Sequence, residues 1–172
     1  MPARVLVFCK KPTSHLTPTM LEAELRAADL MTLAEGLELP EGEEAAVATM
    51  WTHFRIDADD ASIHGVEIRW DGVQRPIQVS AAPPLEGELE ETLENLPESD
   101  APGAARVREH VGATVEIVDF EMGIGGSNHL AATIAEVLAF YVAEQADGIV
   151  WFYNDEFAAP DDRGATLLST DG

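Results

Sequence analysis

Three glycines, Gly123, Gly125 and Gly126, lead into Ser127 and His129, between a stretch that reads as a strand and one that reads as a helix. Backbone N–H groups at a helix start can hold a phosphate, because they point at the ligand and the helix dipole favours negative charge. The run Gly-Ile-Gly-Gly-Ser-Asn lacks the third glycine of a dinucleotide fingerprint, and no lysine follows residue 11 to complete a Walker loop. Glu116, Asp119 and Glu121 lie just upstream, so an anion would meet donors but no cation. The expectation is a strand-to-helix bend, with Ser127 or Asn128 as N-cap. A ligand loop built on Gly123, Gly125, Gly126 and Ser127 is the alternative. Ser127 lacks the flanking glycine of a nucleophile elbow, and His129 would point away from it. No catalytic residues and no cofactor are expected, and the chain reads as non-enzymatic.

Metal-ligating side chains are scattered. If Phe54, Ile56, Val66 and Ile68 face the core of a hairpin, His53 and His64 fall on opposite faces and cannot share a metal. His15, His110 and His129 have no ligand spacing. Asp57 and Asp59 begin like a calcium loop, but Ala61, Ser62 and Ile68 stand where an oxygen ligand, a glycine and a glutamate are needed. No metal is expected. Cys9 is the only cysteine, which excludes an intramolecular disulfide. Lys10 and Lys11 could lower its pKa, but a small buried hydrophobe at a strand end is the expected role.

Charge is the dominant feature. Thirty-two acidic residues face ten basic ones, a formal net charge of −22. Such a surface repels nucleic acid and anionic membranes, and the apolar stretches are too short to cross a bilayer. The opening MPARVLVFCKK reads as a first strand rather than a signal peptide, so a cytoplasmic setting is expected. The carboxylates concentrate in PPLEGELEETLENLPE, residues 83–98, where Leu85, Leu89, Leu93 and Leu96 form one helical stripe. Glu86, Glu88, Glu90, Glu91 and Glu94 then project away from it. Like-charge neighbours on that helix cost roughly 0.2–0.5 kcal/mol each, offset in part by the helix N-terminus. A concentrated carboxylate face suits a basic protein partner, steered by complementary charge. Salt adaptation is the competing account of the same charge.

These residues need a scaffold. Thr17 before Pro18 marks a helix start, with Leu21, Leu25, Ala28 and Leu33 at helical spacing over 18–35. Residues 3–9, 46–56, 63–70, 75–81, 113–120 and 149–153 read as strands, and 103–112 as a short helix. A buried helix over 128–146 carries Leu130, Ile134, Val137, Leu138, Tyr141 and Val142, and an Asp147–Gly148 turn follows it. The reading is α+β: a single mixed or antiparallel sheet of five to six strands with two main helices, 18–35 and 128–146, packed on it. Residues 1–157 form one domain, and 158–172 form an acidic tail.

From about residue 75 to 157, RPIQVS, the acidic helix, ARVREHV, TVEIVDFEMG and IAEVLAFYVAEQADGIVWFYNDEF succeed one another. In this order they resemble uncharacterised bacterial proteins of the polymorphic-toxin immunity type. The resemblance implies a small acidic domain that neutralises a toxin, and it brings no catalytic residues with it.

Overall fold

The computed structural model describes residues 3–30, 43–70, 75–123, 129–152, 156–163 and 165–170. Its strands are β1 (Ala3–Cys9), β2 (Arg55–Asp57), β3 (Val66–Arg69), β4 (Ile77–Ala82), β5 (Glu116–Met122), β6 (Gly148–Phe152), β7 (Glu156–Ala158) and β8 (Leu168–Ser169). They form one sheet in the order β2-β3-β4-β5-β1-β6-β7-β8. Described registers are antiparallel, among them Ile56 opposite Ile68, Val66 opposite Val79 and Phe8 opposite Ile149. The helices are α1 (Pro18–Ala27), α2 (Glu43–His53), α3 (Glu88–Asn95), α4 (Pro102–Gly112) and α5 (His129–Gln145). The fold is thus α+β, as expected, but with eight strands rather than five to six. The chain groups into two compact units of three stretches each. One comprises Met1–Ala3, Ser14–Ser80 and Phe120–Leu138, the other Arg4–Thr13, Ala81–Asp119 and Ala139–Gly172.

In the first unit α1 starts as its capping residues dictate. The Thr17 hydroxyl accepts from the Met20 N–H at 3.3 Å, and Pro18 takes the first helical position. Leu21 and Leu25 are fully buried. The helix stops at Ala27 instead of running to 35. Ala28 is already extended, at φ −75° and ψ 135°, with its N–H bonded to the Glu24 carbonyl. Leu33 lies outside the described residues. Residues 46–53, expected as strand, belong to α2, which buries Val47 and Met50 one turn apart. Only Arg55–Asp57 continues as strand. Trp51 packs edge-on against Phe54, with ring centroids 4.7 Å apart, and its face carries the Arg26 guanidinium at 4.5 Å. The β3–β4 pair buries Val66, Ile68, Ile77 and Val79 on one side, as period-two patterning requires.

The second unit is built around one apolar cluster. Phe8 of β1, Ile149 of β6, Phe157 of β7 and Leu168 of β8 lie with Ala104, Val107 and Val111 of α4. Leu89 and Leu93 of α3 close its margin. Strands β7 and β8 come from the stretch expected as loop and acidic tail. Ala158, Ala159 and Leu168, all within 158–172, are buried. Backbone contact seats this segment. The Leu167 N–H donates to the Phe157 carbonyl at 2.7 Å, and a Cβ on Gly103 would lie 2.1 Å from the Leu167 oxygen. Only glycine permits that approach of α4. Ion pairs from Arg106 to Asp161 (2.7 Å) and from Arg163 to Glu144 (2.5 Å) flank it.

Helix α5 buries Leu130, Ile134, Val137, Leu138 and Val142, the expected face, with Tyr141 half-buried. It ends at the expected turn, where Asp147 takes the left-handed conformation at φ 50°.

Candidate functional site

The acidic segment is held by three local devices. Gly87, at φ 83°, turns the chain into α3. The Leu85 N–H donates to Glu88 Oε2 at 2.7 Å, so that carboxylate caps the entry. At the other end the Arg108 guanidinium donates to the carbonyls of Pro97 (2.7 Å), Leu96 (3.4 Å) and Leu93 (3.5 Å). A cation placed there satisfies the helix's unpaired carbonyls and complements the negative end of its dipole. The segment is therefore fixed to α4 and to the apolar cluster through Leu89, Leu93 and buried Leu96.

Four of the five glutamates singled out by sequence, Glu86, Glu90, Glu91 and Glu94, are exposed. Glu88 is half-buried and committed to the cap. Two details differ from the expected stripe. Leu85 is 77% exposed, because the left-handed turn at Gly87 takes it off the helical spacing. Glu86 stands in that same turn ahead of α3, so it does not repel Glu90 as a helical neighbour would. Glu98 and Asp100 extend the exposed acidic surface, and residues 76–105 contain no lysine or arginine.

Most of the cations that could quench this surface are committed elsewhere. Ion pairs hold Arg4 to Asp119, Lys10 to Asp147, Arg26 to Glu22, Arg55 to Asp57 and Arg69 to Glu67 and Asp57. Arg106 and Arg163 clasp the C-terminal segment, and Arg108 holds carbonyls. Among the described residues, Glu86, Glu90, Glu91 and Glu94 have no ion-pair partner. Individually, exposed pairs are worth only about 0–1 kcal/mol. Collectively they decide where the surplus charge faces.

Of the glycine segment, Gly123 ends β5, whereas Gly125, Gly126 and Ser127 lie outside the described residues. One feature was invisible in the sequence. The Arg75 side chain lies across Gly123, where a Cβ would come within 3.0 Å of it. The aliphatic stem of an arginine, through its Cβ, Cγ and Cδ, therefore packs on the first glycine, a neighbour that local composition did not offer.

Cys9 is fully buried. Burial pushes its thiol up to about 12, with the Glu116 carboxylate adding to the effect. The lysines beside it in sequence do not make it a thiolate. Lys10 instead reaches the Asp147 carboxylate at 3.7 Å. Glu116 also accepts from both the N–H and the hydroxyl of Thr13, which is buried. Among the described residues, no group of three or more His, Cys, Asp or Glu side chains could hold a metal ion. No described helix is long and apolar enough to cross a membrane.

No protein-family model matches the chain, and no curated protein or solved structure shows significant similarity to it.

Proposed function

We propose that this chain is a cytoplasmic, non-enzymatic binding protein that takes a basic protein partner on the carboxylate surface of residues 86–100. A toxin effector is the partner suggested by the resemblance of residues 75–157 to immunity proteins. The carrying observation is the set of exposed, internally unpaired glutamates Glu86, Glu90, Glu91 and Glu94 on a firmly anchored segment. A field of this sign raises association rates with a cationic surface and loses effect as salt shortens its range. The test is a pull-down with the product of the neighbouring gene at low and moderate salt. Retention at low salt, weakened by replacing the four glutamates with glutamine while the melting temperature holds, is the expected result. Failure of any partner to bind at low ionic strength counts against the reading.

A second reading has one observation in its favour. Arg75 beside Gly123 supports a small-anion ligand at the glycine segment. It predicts a thermal shift with phosphate or a nucleotide that Gly125→Ala and Arg75→Ala both abolish.

A further inference from the structure

Three elements of the second unit meet at one carbonyl oxygen. Asp147, the only described non-glycine residue with positive φ, offers its carbonyl to the Lys10 N–H at 3.1 Å, at the end of β1. The same oxygen lies 2.8 Å from Nε2 of His110, in the last turn of α4. Since a carbonyl only accepts, Nε2 carries the proton and a second proton would go to Nδ1. His110 as a whole is only 6% exposed. Neighbouring bonds tie the same pieces together. The Thr114 hydroxyl donates to the His110 carbonyl at 2.9 Å, and the Val115 N–H to the Cys9 carbonyl at 2.9 Å.

We propose that the His110–Asp147–Lys10 joint is a proton-operated latch, holding the end of α4 against the end of β1 while the imidazole is neutral and loosening when it takes a second ring proton. Three charged groups bear on the ring. Lys10 comes from the end of β1, Asp147 from the α5–β6 turn, and Arg106 lies one turn back on α4. Lys10 and Arg106 oppose a second ring proton while the Asp147 carbonyl and carboxylate favour it, so the balance is decided by the loss of water around the ring. Burial is the main reason the ring's pKa falls below its ordinary value. The sign follows by linkage. The opened chain binds the proton more readily, so the latch is fully closed above about pH 6.5 and weakens as pH falls below that value towards the depressed one. Because Arg108 anchors α3 to α4, the acidic surface rides on the element that the latch releases.

Hydrogen–deuterium exchange on the full chain tests this, with intrinsic rates corrected for pH. In the wild type, opening at residues 107–112 should rise between pH 7.5 and 5.5 by up to about tenfold. That is the limit for a ring neutral when closed and titrating near 6.5 when open. His110→Gln keeps an N–H for the Asp147 carbonyl and should remove the rise. Equal opening at both pH values, or the same rise in His110→Gln, overturns the proposal. If that variant fails to fold, NMR titration of wild-type His110 decides. A ring titrating below its ordinary value with the proton on Nε2 supports the latch, whereas titration at or above that value overturns it.

Discussion

Cys9 shows how far a residue's chemistry depends on distant parts of the chain. Two lysines follow it, and from sequence they are the natural cause of an activated thiol. Folding turns Lys10 to Asp147 and brings up Glu116 from β5, so burial and a carboxylate set the thiol's pKa instead. The folded protein should therefore resist alkylation at pH 8 for hours and react fully in guanidinium, as mass spectrometry would show. Rapid modification of the native chain would mean that Cys9 is accessible. Thr17 is the opposite case. Its role as N-cap needs only the next few residues, and it was legible in the sequence for that reason. Arg75 at Gly123 and Arg108 on the carbonyls of α3 were not legible, because both contacts join elements through tertiary packing.

Among the elements, those with strong local signals were read correctly, namely β1, α4, α5, β6 and the start of α1. Residues 46–53 were misread because Ala48, Met50 and Phe54 satisfy a period of two, whereas burial of Val47 and Met50 satisfies a helical turn. A short apolar run cannot choose between the two. Strands β7 and β8 left almost no pattern. Each is defined by pairing with its neighbour, and together they supply few large apolar side chains beyond Phe157 and Leu168. Helix α4 permits a paired test of what seats that segment. Gly103→Ala must displace the Leu167 carbonyl and should cost on the order of 1–3 kcal/mol. Gly112→Ala meets nothing closer than Leu93 Cδ1 at 4.0 Å, and should be neutral or gain up to about 1 kcal/mol from helix propensity. Thermal or urea unfolding should show a loss of stability for Gly103→Ala and none for Gly112→Ala.

For the whole molecule, a net charge of −22 with most cations already paired means self-repulsion opposes compaction. The melting temperature should climb as salt rises from about 0.01 to 0.15 M, where the Debye length falls from roughly 30 to 8 Å, and then level off. Partner retention should fall over the same range. A melting temperature still rising steeply in molar KCl would mark a salt-adapted chain and would weigh against the partner reading. The charge itself was plain in the sequence. Its orientation was not, since that depends on which carboxylates the arginines reach.

The interleaving of the two units bears on how the chain comes off the ribosome. Leu6 of β1 sits opposite Trp151 of β6, so this first-made strand waits for a partner made near the end of synthesis. At about 5–20 residues per second the delay is roughly 7–30 s. Throughout it the β6-facing edge of ARVLVFC is open, since only β5, its other neighbour in the sheet, has been made, and the second unit cannot close until its last stretch, Ala139–Gly172, has followed the whole of the first. Nascent chains stalled before β6 are thus the species most prone to aggregate or to recruit a chaperone.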